Sequence, residues 1–253
     1  MMIYPVFHIP HDGALFPDEL MESVCVSRER FLWYHETMRD RDVLQLVPLR
    51  FRDDRHCICF PVSRLLCDVE RFIGPEEIME RYGMGYCYER AYDGQRIKTV
   101  TPELLARTRV YYDRHHRELD RLCQRRDSIV LIDLHSYSDD LVPKELMITG
   151  GSTPDVCLGA DPVYTDPAMI ASAERVFRAA GFSTAVNAPY SGCMIPNHVL
   201  SGAYQGRFRG IMLEFNRRIC CGRGGQSAED RFSLLRALVD RLVEQWELCA
   251  GPG

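Results

Sequence analysis

The sequence predicts an α/β fold in which a mainly parallel sheet carries helices on both faces. Short apolar and β-branched runs alternate with longer helical patterns whose caps can be read directly. Several runs end in residues of metal-ligand or acid–base type, and open α/β sheets bind ligands beyond the carboxyl ends of their strands. Size agrees: 253 residues, 46% hydrophobic and 26% charged, make one domain spanning 1–253 with a core that needs no staples.

The strand-like runs, in order, are Tyr4–Ile9, Leu44–Leu49, Cys57–Val62, Ser128–Leu134, Ser183–Val186 and Gly210–Phe215. Thr101-Pro102 sets a capping hydroxyl before a proline at the first helical position, and the segment runs to about Arg125. Asp166-Pro167 opens a second helix that stops at Gly181. Ser227-x-x-Asp230 is a near capping box for a last helix reaching Leu248, with Phe232, Leu235, Leu238, Val239, Leu242 and Val243 on one face. Gly222–Gly225 reads as the turn before it.

Composition removes several classes. A net charge of −5 without a basic stripe argues against nucleic-acid binding. The longest apolar runs fall far short of the roughly 20 residues that span a bilayer. The opening Met1-Met-Ile-Tyr-Pro has neither a basic n-region nor a long apolar h-region, so no secretory signal is expected. Eleven cysteines, an odd number without Cys-x-x-Cys, do not form a disulfide framework or a four-cysteine zinc site. The expectation is a reduced, cytoplasmic protein.

Five segments carry residues able to do chemistry. Ile129–Ile132 leads into Asp133-Leu-His135-Ser136, which holds an imidazole rigidly at a sheet end. Phe7-His8-Ile-Pro-His11-Asp12-Gly13 ends the first strand in two histidines, of which His11 at the tip is the better ligand and His8 a packed or supporting residue. Asp40-Arg-Asp42 offers the carboxylate of a two-His, one-carboxylate zinc set, or else is a solvated charge run. Arg64 and Arg71, in Ser63-Arg-Leu-Leu-Cys-Asp68-Val-Glu70-Arg71, suit capture of a carboxylate, or else form a surface lattice with Asp68 and Glu70. Glu214, in Leu213-Glu-Phe-Asn216-Arg217, is a carboxylate at the end of a buried strand, expensive unless paired or functional. His115 and Glu118 have zinc-ligand spacing but lie on a charged helix and are read as a solvated face. His-Glu-x-x-His, Gly-x-Ser-x-Gly, P-loop and dinucleotide-binding glycine patterns are absent.

Taken in order, these segments resemble the N-formylglutamate amidohydrolase family. The resemblance also rests on Pro154-Asp-Val-Cys-Leu-Gly159 and Asn187-Ala-Pro-Tyr190-Ser-Gly192, so that it covers residues 8 to 217. It implies a three-layer αβα fold with a mixed, mainly parallel sheet, similar to zinc carboxypeptidases. It implies one Zn2+ per chain held by His11, Asp42 and His135, with Asp40 as the alternative carboxylate. Glu214 would be the general base and acid. Arg64, Arg71, Asn187, Tyr190 and Arg217 would bind a small acidic N-acyl amino acid, and His116 matches a family histidine on the long helix. The implied reaction is hydrolysis of N-formyl-L-glutamate to L-glutamate and formate, a step that fits histidine breakdown. Two departures bear on the substrate: Asp68-Val-Glu70-Arg71 replaces an Asp-x-Asn-Arg, and Ser191-Gly-Cys193 replaces a Gly-Gly. The alternatives are a carboxypeptidase-like or other N-acyl amino acid hydrolase, or a non-catalytic metal- or ligand-binding protein.

Overall fold

A computed structural model of the chain describes residues 3–124, 126–142, 152–220 and 227–249. Its strands are β1 Tyr4–Ile9, β2 Cys57–Cys59, β3 Ser128–Tyr137, β4 Val156–Gly159, β5 Thr184–Val186 and β6 Arg207–Asn216. Its helices are α1 Asp18–Met21, α2 Arg28–Met38, α3 Pro102–Gln124, α4 Pro167–Ala179, α5 Asn197–Leu200, α6 Arg217–Cys220 and α7 Ala228–Cys249. The predicted Gly222–Gly225 turn lies outside the described residues. The chain divides into two compact units, one of Met1–Ile9, Asp42–Ile58 and Asp120–Gly253, the other of Pro10–Arg41 and Cys59–Leu119. Each unit draws on separated stretches of chain, so no compositional boundary marks either.

The first unit is built on the sheet, in the order β2-β1-β3-β6-β4-β5. β1 and β6 flank β3 in parallel, whereas β4 runs antiparallel to β6, so the sheet is mixed and mainly parallel. All ten residues of β3 are buried. That explains its near-continuous apolar run, since a parallel strand is covered on both faces. α4 starts where Asp166 accepts a hydrogen bond from the Ala168 N–H at 2.9 Å. It ends before Gly181, whose φ of +86° relieves the steric penalty any other residue would meet. Val176 and Phe177 of α4 and Leu235, Val239 and Leu242 of α7 join Val130, Ile132, Leu213 and Phe215 of the sheet in one core. The Trp246 indole on α7 donates to Ser172 Oγ on α4 at 2.7 Å, satisfying a buried N–H.

Two expectations change. Leu44–Leu49 is not a strand: Val43–Leu46 and Leu49–Phe51 are short 3-10 turns. Asp42 enters them with φ 64°, a left-handed conformation that Asp tolerates, and Pro48 has no N–H to give a ladder. The run is apolar because Val43, Leu46 and Val47 are buried in the core, not because it pairs. The strand predicted over Cys57–Val62 stops at Cys59, two residues before Pro61. β4 and α2 have no counterpart in the sequence prediction; four residues are too few to show a period, and α2 buries His35 and Tyr34 beside Phe31 and Met38.

The second unit has little regular strand. Its core joins Leu20, Phe31, Tyr34, Leu65, Leu66 and Tyr88, and bridges pair Leu15 with Val62 and Val24 with Lys98. α2 is capped by Ser27, which accepts from the Arg30 N–H at 3.2 Å.

Leu242→Ala should lower the unfolding free energy by about 2–5 kcal/mol, because this fully buried side chain leaves a cavity between α7 and the sheet. Urea titration checks it; an unchanged midpoint would remove α7 from the core.

Candidate metal and acid–base centre

In the first unit the alternation of β3 puts Asp133 and His135 on the same face. Parallel register sets His8 of β1 beside Asp133 and Glu214 of β6 beside His135. Three neighbouring strands therefore bring two imidazoles and two carboxylates to one face at their carboxyl ends. All four side chains are buried, Glu214 with 6% of its surface exposed. Asp133 is the hub: Oδ1 accepts from His8 Nδ1 at 2.8 Å and lies 3.2 Å from His135 Nε2, while Oδ2 accepts the Met194 N–H at 2.8 Å. Burial alone would raise its pKa, but the two histidines and their hydrogen bonds hold it well below the usual carboxylate range.

The loop after β5 closes over this edge of the sheet. Asn187, in the left-handed region at φ 54°, ties Ala160 through both groups of its amide, at 2.7 and 3.1 Å. Its side chain therefore shapes the loop. Tyr190 packs edge-on to Tyr137 at 5.7 Å, and its carbonyl accepts from Cys157 Sγ at 3.2 Å. Burial, helped by the neighbouring Glu214, pushes the Cys157 thiol up to about 11, so it is a packing residue. Arg217 begins α6 directly after β6 and donates from Nε to Ser136 Oγ at 3.4 Å.

In the second unit, buried Asp68 plays the corresponding part. Its Oδ1 accepts from His11 Nε2 at 2.9 Å and from the Glu70 N–H at 3.0 Å. Its Oδ2 accepts from Arg64 at 3.0 Å and from the Tyr88 hydroxyl at 2.8 Å. Arg71 Nε lies 3.8 Å from the same oxygen. Burial raises the Asp68 pKa, but the charges of His11, Arg71 and Arg64 outweigh it and hold the carboxyl well below its usual range. For His11, burial and Arg64 act downward, yet Asp68, Glu70 and Asp40 carry the balance upward. The Asp68–Arg64 pair is thus buried and structural, not the surface lattice the sequence alone allows. His116, on α3, donates from Nε2 to the Val69 carbonyl at 2.8 Å and so steadies the same loop. His115 is buried, its ring edge-on to Phe60 at 5.1 Å, and does not lie on a solvated face.

Asp40 and Asp42 part company here. Asp40 is buried, its backbone N–H bonded to the His11 carbonyl at 3.0 Å and its Oδ2 3.7 Å from His11 Nδ1. Asp42 is exposed and accepts from Gln45 at 3.3 Å. The His11–Asp40 separation is too long for a hydrogen bond. It is close to the ~3.3 Å expected between two donor atoms that share one tetrahedral zinc ion. His11 also shows the arrangement of a metal-ligating imidazole, one nitrogen fixed by a carboxylate while the other faces the ligand position. His135, in its own unit, has Nε2 3.2 Å from Asp133 Oδ1. The donor set therefore fits a metal. Asp133 and Asp68, the two organising carboxylates, were not singled out by sequence; Asp133 was findable from its two-residue spacing to His135.

A family model described as N-formylglutamate amidohydrolase matches residues 4–221. Among solved structures, an N-formylglutamate amidohydrolase from Ralstonia eutropha, a crystal structure at 2.00 Å resolution, superposes with a TM-score of 0.73 at 18% identity, covering 98% of this chain and 94% of that one. A mutant of murine aminoacylase 3 gives a TM-score of 0.37 at 15% identity, with 98% of this chain and 64% of that one covered. No curated protein matches the chain. No described helix is long and apolar enough to cross a membrane.

Two predictions come from the second unit. Asp68→Asn should cost about 3–5 kcal/mol in urea titration, since it removes the fully buried charge that Arg64 and His11 pair with, and a cost no larger than that of Glu70→Gln would refute its central place. His35, buried with Nδ1 bonded to Ser63 Oγ at 2.9 Å, has its pKa lowered to about 4, chiefly by burial and then by Arg39. A neutral-state preference of this sign gives stability that is full above the unfolded histidine value near 6.5 and is lost as pH falls towards 4. His35→Gln should flatten stability against pH in that window; an unaltered slope would show that His35 is not its source.

Proposed function

The chain belongs to the N-formylglutamate amidohydrolase family, whose model spans residues 4–221, and from that premise we propose that it is a zinc-dependent hydrolase that cleaves N-formyl-L-glutamate to L-glutamate and formate. The observation that carries this reading is the register pairing of His135 with Glu214 at the strand ends, inside the motif order the family shares. We propose His11, Asp40 and His135 as the metal ligands, with Asp40 in place of the Asp42 that the resemblance favours, because Asp40 is the buried carboxylate that faces His11. When bound, the metal would supply Lewis-acid polarisation of the acyl carbonyl and a lowered pKa for water.

The chain's own residues account for the rest. Glu214, buried at a strand end, takes the proton of the attacking water and delivers it to the nitrogen of the departing amino acid. Asp133 and Asp68 fix the imidazoles of His135 and His11 in one orientation, which removes a reorganisation cost from the reaction. Arg64 is engaged by Asp68 and lies 3.5 Å from Asp40, so its role is to hold these carboxylates. That leaves Arg71 and Arg217, with Tyr190, for the two carboxylates of the substrate. Asn187 serves through the loop it shapes.

Glu70, which stands where the family pattern has an amide, favours a second reading within the same chemistry. Its Oε2 lies 3.6 Å from His11 Nε2, and an added negative charge there disfavours one acidic group on the substrate. A less acidic N-acyl amino acid is the substrate under that reading.

Formate release from N-formyl-L-glutamate, set against release from N-acetyl and neutral N-formyl analogues, separates the two. Glu214→Gln should lower kcat by ~10²–10⁴-fold and keep its zinc. Unchanged turnover would remove Glu214 as the base, and a wild-type protein inert towards all these amides, with or without added zinc, would remove the enzyme reading.

A further inference from the structure

Lys98 is fully buried in the second unit, an uncommon place for a lysine. Its amine donates to the Leu66 carbonyl at 3.3 Å and to Cys87 Sγ at 3.4 Å. The same sulfur accepts from Thr108 Oγ1 at 3.6 Å. Cys87 is free and buried, with 7% of its surface exposed. The catalytic reading above uses none of these groups.

We propose that Cys87 and Lys98 are a modification site, joined as a sulfenamide when the protein meets a hydroperoxide. The Cys87 thiol passes its proton to Lys98, and the thiolate attacks the peroxide, forming an S–O bond and breaking O–O; with hydrogen peroxide the departing hydroxide takes that proton back and leaves as water, so that the amine is again neutral. The lone pair of the Lys98 amine then attacks sulfur: N–S forms, S–O breaks, and the hydroxide leaves with a proton from nitrogen as a second water. The sum is thiol, amine and one hydrogen peroxide in, sulfenamide and two waters out. Sulfur gives up two electrons and the peroxide takes them.

Burial lowers the Lys98 pKa against the opposing pull of Cys87 and Cys67, which favours the neutral amine that the second step needs. Cys67, the nearby second thiol, is pushed well up by burial and is held by its own contact to the Thr108 carbonyl at 3.8 Å, so it is a poor rival. The bond would sit directly behind Asp68. The Asp68 N–H donates to the Tyr86 carbonyl and the Tyr88 hydroxyl donates to Asp68 Oδ2, each at 2.8 Å, and Cys87 joins those two tyrosines.

The full-length protein is treated with hydrogen peroxide, its remaining thiols are alkylated, and the digest is read by mass spectrometry. The expected product is a peptide pair joined through Cys87 and Lys98, lighter than its parts by two hydrogens, which rises with peroxide and disappears with dithiothreitol. Cys25→Ser, at an exposed site, should leave its yield unchanged. A folded Lys98→Met variant should yield Cys87 as a sulfenic acid trapped by dimedone. A joined pair that carries an extra oxygen, a Cys67–Cys87 disulfide, or Cys87 recovered as thiol or sulfinic acid in the wild type would each overturn the proposal.

Discussion

A carboxylate taken out of water must be met on all sides by donors, and both units of this protein are organised by that requirement. In the second unit Asp68 gathers an imidazole, a guanidinium, a phenol and a backbone N–H onto its two oxygens. In the first, Asp133 gathers two strand-end histidines and the N–H of Met194. Either group, left alone, would cost several kcal/mol and would take up a proton instead. Surrounded as they are, both stay charged, and each fixes the orientation of a histidine.

Under the proposed function, that orientation is what the chemistry needs. A ligand imidazole that could rotate would lose entropy whenever metal bound, whereas one held by a carboxylate is ready before binding. Glu214 has a different environment: it lies beside His135 in register and beside Cys157 on the other side, within the sheet itself. Strand backbones hold such groups more rigidly than loops can. The arginines divide by the same physics. Arg64, paired inside with Asp68 and Asp40, is part of the scaffold; Arg71 keeps a longer contact to Asp68 and more exposure.

Much of the fold was legible because burial on both faces writes a strong signal into sequence. β1 has the predicted limits, and the predicted starts of β3 and α4 stand. The failures have physical causes. Leu44–Leu49 has the composition of a strand, but Asp42 turns the backbone left-handed and Pro48 has no N–H, so burial comes without pairing. The two units interleave along the chain, and interleaving leaves no linker to read. Among the site residues, histidines and Glu214 stood out because they interrupt or end apolar runs. Arg64 stood out as a capturer of substrate carboxylate and Asp68 only as its surface partner, since a charged pair four residues apart looks the same on a surface as in a core. Asp40 and Asp42 are two positions apart in one charge run, and only burial distinguishes them.

Under the proposed function, burial beside His11 selects the metal carboxylate. Zinc content of Asp40→Asn and Asp42→Asn, purified and dialysed side by side with the wild-type protein, tests it most directly. The Asp40 variant should lose stoichiometric zinc and the Asp42 variant should keep it. Zinc retained by the first and lost by the second would contradict it.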